Sequence, residues 1–140
     1  SRIKFPLIRP LSQFQEINVE PSILNIPLIK LVLQPIIENA IYHGLKYKES
    51  KGLLQVKGFM KDGNAVLQVI DNGVGMDEET LAHIYDKHKV NYHSNGVGVY
   101  NVQKRLKLYY GESYGITYES EKGVGTTATI TIPGMQEESI

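Results

Sequence analysis

Polar side chains stand in the middle of a largely apolar stretch, residues 34–45, which includes Glu38, Asn39 and His43. Because residues three and four apart share one face of a helix, a helix here would place Asn39 and His43 side by side. A carboxamide oxygen is a suitable ligand for Mg²⁺, and an imidazole can contact phosphate. The stretch therefore predicts either a ligand site or two core polar groups that bond to backbone.

Glycine pairs with the pattern Gly-Val-Gly occur at three turns, namely Gly73/Gly75, Gly96/Gly98 and Gly123/Gly125. The middle pair precedes a predicted helix, whose unpaired N–H groups would attract a phosphate. Neither the P-loop pattern nor the GxGxxG spacing of dinucleotide folds is present. The pattern is compatible with a nucleotide, although glycine is also an ordinary turn residue.

Asp71 ends a strand-like run directly before the first of these turns. Its carboxylate could accept a hydrogen bond from an exocyclic amine such as that of adenine, or it could cap its own turn. The remaining histidines, His83, His88 and His93, lack a metal-ligand spacing. No serine or cysteine lies in a nucleophile elbow.

The elements that would position these residues begin with strands. Residues 14–19 alternate apolar and polar side chains, which predicts a strand. Two hairpins are predicted, one over residues 53–60 and 65–71 and one over residues 115–120 and 126–132. Asp-Gly in the first connection is a strong hairpin signal.

Helices are predicted in three places. The first runs from near Pro27 to about Tyr42, with a kink or a broken first half at Pro35 and a stop at Gly44. A short second helix starts at the acidic residues 77–79 and ends near Asp86.

The third helix follows Gly98 and ends at Gly111, with Val102, Leu106 and Tyr109 on its core stripe. Residues 87–95, between the last two helices, are predicted to form a loop because they show no period.

Composition sets the limits of these interpretations. The chain has 140 residues, 41% of them hydrophobic, which fits a single domain with a proper core. Fifteen basic and fifteen acidic residues give no net charge, so a nucleic-acid partner is not expected. The chain has no cysteine, no membrane-spanning run and no initiator methionine, which favours a soluble fragment of a longer protein.

Taken in order, these motifs resemble the ATP-binding domain of sensor histidine kinases, in the GHKL or Bergerat superfamily. The likeness covers residues 14–133 and rests on Glu-Asn in a helix, Asp-x-Gly-x-Gly, Gly-x-Gly before a helix and Gly-Thr in the last hairpin. Residues 33–44 and 101–106 are similar to the YesM/LytS-type group. The resemblance implies an α+β fold, a two-layer sandwich in which a mixed sheet packs against helices.

The resemblance also implies roles for individual residues. Asn39 would bind Mg²⁺, His43 would lie beside the phosphates of ATP, and Glu38 would polarise the acceptor. Asp71 would recognise the adenine amine. The remaining residues carried over would shape the base pocket (Gly73, Gly75, Met76), assist at the adenine (Thr126) or cover the phosphates below a lid of residues 87–95 (Gly96, Val97, Gly98, Val99).

Two positions depart from the family pattern. Tyr42 replaces a lysine that many kinases carry three residues after the metal asparagine, so Lys46, Lys87 or Lys89 would have to meet the phosphate charge. Pro35 stands where the hydrolysing ATPases of the superfamily place a catalytic glutamate, and proline cannot act as a base. Slow ATP hydrolysis is therefore expected.

The function implied is the catalytic domain of a two-component sensor kinase, which transfers the γ-phosphoryl group of ATP to a histidine outside this chain. Residues 1–13 would be the junction to a dimerisation and phosphoacceptor region, and residues 134–140 a tail. The expected partners are that region in a homodimer and a response regulator, with this domain on the cytoplasmic side of a membrane-anchored parent. The alternatives are an anti-sigma-factor serine kinase and an interaction module that has lost nucleotide binding.

Overall fold

The computed structural model describes residues 13–24, 26, 29–45, 52–85 and 98–134. Several predictions concern residues that lie wholly or mostly outside these ranges. They are the junction over residues 1–13, of which only Gln13 is described, the tail over residues 134–140, of which only Gly134 is described, the loop over residues 87–95, and the roles of Gly96, Val97, Lys46, Lys87 and Lys89. The start of the first long helix near Pro27 also lies outside the described residues.

Five strands form one mixed sheet in the order β1-β2-β3-β5-β4. The strands are β1 (Gln13–Val19), β2 (Gly52–Lys61), β3 (Asn64–Asp71), β4 (Gly115–Glu121) and β5 (Gly125–Pro133). β1 and β2 are parallel, and every other neighbouring pair is antiparallel. The predicted strand and both predicted hairpins are confirmed.

The β2–β3 hairpin shows why its turn was readable from the sequence. Lys61 pairs with Asn64, so Asp62 and Gly63 alone make the turn. Both have positive φ, 53° and 80°. Such a two-residue turn matches the twist of the flanking strands, and Asp-Gly adopts it readily.

The helices are α1 (Pro21–Leu24), α2 (Ile29–Asn39), α3 (Glu78–Ala82) and α4 (Val99–Tyr110), and a π-helical segment (Ala40–Leu45) extends α2 directly. The predicted stop at Gly44 is wrong, because the π-helical segment continues through it. The helix also runs on through Pro35 and is not broken there. α1 was not predicted, and α3 ends four residues before the predicted Asp86.

The core lies between the helices and one face of the sheet. α2 and α4 contribute Ile29, Val32, Leu33, Ile36, Ile37, Val99, Val102 and Leu106, and the strands contribute Leu54, Val56, Leu67, Val69, Ile116, Ala128, Ile130 and Ile132. This arrangement confirms the predicted α+β two-layer sandwich. No helix among the described residues has the length and apolar character to cross a membrane.

One residue of the predicted stripe on α4 is misplaced. Val102 and Leu106 are buried, but Tyr109 is 67% exposed. The core stripe continues instead to the partly buried Tyr110, four residues after Leu106. The predicted end of α4 at Gly111 is confirmed by that glycine's positive φ of 111° and its N–H bond to the Lys107 carbonyl.

Candidate functional site

A narrow cleft opens where the C-terminal end of α2 meets the ends of three strands. The residues that line it are Ile36, Asn39, Ala40, Val69, Asp71, Met76, Tyr118, Thr126 and Ala128. The cleft encloses about 20 Å³, room for about one water molecule. It brings together four residues that the sequence singled out, Asn39, Asp71, Met76 and Thr126. A purine ring would enter only if the cleft widened.

Asp71 is the one buried charged or polar side chain in the described part of the chain, 5% exposed at the end of β3. One carboxylate oxygen accepts a hydrogen bond from the Gly73 N–H at 2.8 Å. Burial raises the pKa of Asp71 to about 6, although the N–H groups of Gly73 and Thr126 act in the opposite direction. Asp71 therefore does cap its own turn, and it also presents a carboxylate to the cleft.

The turn after Asp71 is pressed against the β4–β5 hairpin. The Gly123 N–H donates to the Val74 carbonyl at 2.7 Å. A Cβ at Gly75, where φ is 71°, would lie 2.1 Å from the Glu121 carbonyl oxygen. Glycine is required at Gly75 for both backbone conformation and space.

A second close approach lies on the hairpin side. Gly125 has φ 149°, and a Cβ there would lie 2.1 Å from the Asp71 carbonyl oxygen. The Ser120 hydroxyl, 2.8 Å from that of Thr126, accepts from the Met76 N–H at 2.8 Å and donates to the Gly125 carbonyl at 3.0 Å. Since Ser120 has a single hydroxyl hydrogen, Thr126 must be the donor of the pair. Thr126 therefore offers the cleft an acceptor.

Asn39 forms the helix side of the cleft. It is the last residue of α2, directly before the π-helical segment. Its side chain lies beside the Tyr118 hydroxyl and lowers the pKa of that group, whereas burial, Tyr85 and Asp71 raise it. π-helical turns inside longer helices are frequent at functional sites. Here the change from α to π geometry occurs next to the predicted metal ligand.

The structure places other predicted residues away from the cleft lining. Glu38 is partly exposed on α2, where burial raises its pKa, and it does not line the cleft. Gly98 caps α4, and the Val99 side chain is buried in the core. Gly73 contributes its N–H to Asp71. His43 lies in the π-helical segment, and the position of its side chain is outside the described part of the structure.

Tyr118 lines the cleft and was missed by sequence reasoning. It lies on β4 opposite Ala128, which in turn pairs with Val69 of β3. The available signal was strand alternation, which puts Ile116, Tyr118 and Ser120 on one face of the sheet. Alternation does not predict which group forms a hydrogen bond with the Tyr118 hydroxyl.

A larger groove of about 460 Å³ lies at the same end of the sheet. Its walls include Leu53, Gln55, Ile70, Glu119 and Thr127. These residues alternate along their strands with residues that pack against the helices, so they face the opposite side of the sheet. Asp71 and Thr126 border both this groove and the cleft, and the Asp71 side chain is in step with Leu67 and Val69, which face the helices.

The described residues form no site that would hold a free metal ion tightly. No group of three or more histidine, cysteine or acidic side chains gathers in the described residues. A single amide oxygen from Asn39 suits Mg²⁺ only where phosphate oxygens and waters complete its shell. The buried Asp71 carboxylate and the Thr126 hydroxyl place hydrogen-bond acceptors on the sheet side of the cleft.

Comparison with known proteins agrees with this geometry. Residues 25–136 match the family model described as histidine kinase-, DNA gyrase B- and HSP90-like ATPase. The sensor protein LytS of Oceanobacillus iheyensis is 36% identical over 98 residues, 69% of this chain and 17% of that protein. The sensor histidine kinase YesM of Bacillus subtilis is 31% identical over 121 residues, 86% of this chain and 20% of that protein. The chain thus spans about a fifth of the length of these curated relatives.

Solved structures show the same fold. The catalytic domain of histidine kinase ThkA superposes with a TM-score of 0.67 at 18% identity and covers 89% of this chain and 82% of that one. The blue-light activated histidine kinase of Erythrobacter litoralis EL346 gives a TM-score of 0.64 at 19% identity, with 92% and 37% covered.

Proposed function

The chain belongs to the family of histidine kinase-, DNA gyrase B- and HSP90-like ATPases, and from this premise we propose that it is the ATP-binding catalytic domain of a sensor histidine kinase. It would transfer the γ-phosphoryl group of ATP to a histidine outside the chain. The observation that carries the proposal is the buried Asp71 carboxylate at the end of β3, which shares one cleft with Asn39 and Thr126.

The base end of the site supports adenine. Asp71 is an acceptor, and Thr126 offers the cleft an acceptor because its hydroxyl hydrogen is directed to Ser120. The exocyclic amine of adenine has two N–H donors, so two acceptors at one place are complementary to it. An unpaired buried acceptor is costly, which favours a base with an amine there over one with a carbonyl.

The phosphate end rests on fewer described groups. Asn39 would hold Mg²⁺ through its carboxamide oxygen, and His43 and the backbone at Gly98 and Val99 would lie near the phosphates. When bound, Mg²⁺ neutralises phosphate charge and orients the γ-phosphoryl group. Glu38 lies beside Asn39 in sequence, and a polarising role at the acceptor is part of the proposal.

In the transfer, the bond between the γ-phosphorus and the bridging oxygen breaks and a phosphorus–nitrogen bond to the acceptor imidazole forms. ADP leaves with the bond electrons, and the N–H proton of the imidazole passes to solvent water. Pro35 supplies no base four residues before Asn39, so activation of water is not supported there. This favours transfer to a protein over hydrolysis.

The partners proposed follow from the relatives, a sensor protein and a sensor histidine kinase that are about five to six times longer than the matched segment. The phosphoacceptor would belong to a dimerisation region of the same polypeptide, and a response regulator would receive the phosphoryl group. A cytoplasmic position of this domain and a membrane anchor in the parent are part of the same proposal. An interaction module without nucleotide is less supported, because Asn39 and Asp71 share one cleft.

Calorimetric titration of the chain with ATP and ADP in the presence of Mg²⁺ tests the proposal. Binding is expected in the micromolar-to-millimolar range, about −4 to −8 kcal/mol. Asp71→Asn should weaken it about 10- to 100-fold, since a hydrogen bond to a charged group is lost.

Glu119→Gln is the matched control, because it neutralises an exposed carboxylate on the other face of the sheet. It should bind as the wild type does. Absence of heat for both nucleotides with the wild-type chain, or unchanged affinity of Asp71→Asn, would contradict the proposal.

A further inference from the structure

The Tyr118 hydroxyl is the one buried side-chain polar atom in the described part of the chain that has no hydrogen-bond partner. The neighbouring Tyr85 shows the contrast. Its hydroxyl donates to the Ile116 carbonyl at 2.8 Å. The two rings meet edge to face, with centroids 6.1 Å apart and planes at 66°. Tyr118 is therefore held in place by packing, while its polar atom stays unpaired inside the cleft.

A buried hydroxyl without a partner destabilises the protein that carries it. Asn39 lies beside this hydroxyl and lowers the pKa of Tyr118, the direction expected from an amide N–H that faces the phenol oxygen. Even so, no hydrogen bond joins the two side chains, and the O–H hydrogen of Tyr118 requires an acceptor. A ligand that fills the cleft can supply this acceptor, because the Tyr118 side chain lines the cleft.

The polar groups around the cleft are of two kinds, hydrogen-bond acceptors and a hydrogen-bond donor. Asp71 and Thr126 present acceptors, and Tyr118 presents a donor. In adenine the exocyclic amine, which donates, is flanked by the ring nitrogens N1 and N7, which accept. Adenine therefore carries the complementary order of groups along one edge.

We propose that Tyr118 is a further base-contacting and specificity-determining residue of the nucleotide site. Asp71 and Thr126 accept hydrogen bonds from the exocyclic amine of adenine, and the Tyr118 hydroxyl donates a hydrogen bond to the ring nitrogen beside that amine. The inference rests on the proposed function, since it assigns a contact within the same site. Asp71, Thr126 and Tyr118 line the same cleft, so the three groups would meet the same end of the base. The hydroxyl is unpaired without a ligand and becomes paired with one.

The test combines Tyr118→Phe with adenosine triphosphates that lack one ring nitrogen, 1-deaza-ATP and 7-deaza-ATP, by calorimetry of the whole chain with Mg²⁺. Tyr118→Phe should weaken ATP binding about 5- to 30-fold, the effect of one hydrogen bond. One of the two analogues should bind the wild type more weakly than ATP by a similar factor. That analogue should bind Tyr118→Phe as well as ATP does, because the contact is already absent.

Tyr85→Phe is the matched control. It loses hydrogen bonds to backbone only, to the Ile116 carbonyl and from the Tyr118 N–H, and removes no group from the cleft lining. It should lower the melting temperature without changing the preference for ATP over the analogues. Tyr118→Phe should melt at the wild-type temperature or higher, since it removes an unpaired hydroxyl.

The inference is overturned if Tyr118→Phe binds ATP as the wild type does. It is equally overturned if the affinity for each analogue, relative to ATP, is reduced by the same factor in the wild type and in Tyr118→Phe. That result would show that the Tyr118 hydroxyl does not contact either ring nitrogen. A wild-type chain that binds no ATP would overturn the proposed function itself, a result distinct from either of these.

Discussion

The two walls of the cleft are built differently. The sheet wall, with Asp71 and Thr126, lies on paired strands, and its turn is fixed to the β4–β5 hairpin by backbone contacts at Gly75 and Gly125. The helix wall, with Asn39, lies where α2 changes to a π-helical segment. Paired strands and close backbone contacts resist local opening, whereas the end of a helix opens more easily.

This difference matters because the two walls would recognise different parts of a nucleotide. The base is rigid and is identified by hydrogen bonds in fixed directions, which a sheet wall can supply. Phosphates and Mg²⁺ are recognised by charge and by a coordination shell that contains waters. The cleft encloses about 20 Å³, so a base could enter it only if the two walls separated.

The largest expected effect breaks the sheet wall. Gly75→Ala should lower the free energy of unfolding by about 2–5 kcal/mol, because the new Cβ would both meet the Glu121 carbonyl and force a positive φ on alanine. Urea denaturation followed by circular dichroism measures the change. Nucleotide affinity should fall as well, since the turn that aligns Asp71 is displaced.

Gly123→Ala separates space from backbone conformation. Gly123 has φ 86°, but a Cβ there would meet nothing within 4 Å. This variant should lose only about 1–2 kcal/mol, the strain of positive φ alone. Equal losses for the two variants would show that the contact between the turn and the hairpin does not stabilise the sheet wall.

A smaller effect concerns the charge on the same wall. The pKa of Asp71 is raised to about 6 from an ordinary value of 3.8, so the folded state holds this proton more tightly than the unfolded chain. Its contribution to stability is complete below about pH 4 and is lost as the pH rises through about 6. The wild type should therefore lose about 1–3 kcal/mol relative to Asp71→Asn between pH 4 and pH 7.

Urea denaturation of both proteins across that range measures the difference, and the comparison cancels the other titrating groups. A constant difference between the two proteins would mean that Asp71 titrates at its ordinary value. In that case the carboxylate would be solvated and the sheet wall open.

Much of the sheet wall could be predicted from the sequence, because its signals are local. Alternation and Asp-Gly define the hairpin before Asp71, and the position of Asp71 follows from them. Tyr118 could not be predicted, since its importance depends on which groups β5 and α2 place around it. The pattern that made Gly75 and Gly125 look like ligand loops has a structural cause in this fold, the contact between the two turns.

Less of the helix wall could be predicted from the sequence. The apolar period predicts α2 but carries no signal for the change to π geometry after Asn39. For that reason the sequence predicts a stop at Gly44, whereas the π-helical segment continues through it. Tyr109 was misplaced for a related reason. Positions three and four residues after Leu106 are both compatible with a helical stripe, and tertiary packing selected Tyr110.

The smallest effect on stability is expected at Asn39, and it sharpens the contrast between the walls. Asn39 is only partly buried, so Asn39→Ala should change the free energy of unfolding by less than about 1 kcal/mol. Asn72→Ala is the matched control, because the Asn72 carboxamide oxygen accepts from the Leu53 N–H at 2.7 Å and so links β2 to the end of β3. Asn72→Ala should lower the free energy of unfolding by about 1–2 kcal/mol.

In calorimetry with and without Mg²⁺, Asn39→Ala should remove most of the metal dependence of ATP binding and Asn72→Ala none of it. The opposite result, an unfolded Asn39→Ala that leaves the metal dependence of any remaining binding intact, would make Asn39 a structural residue and transfer the metal site elsewhere.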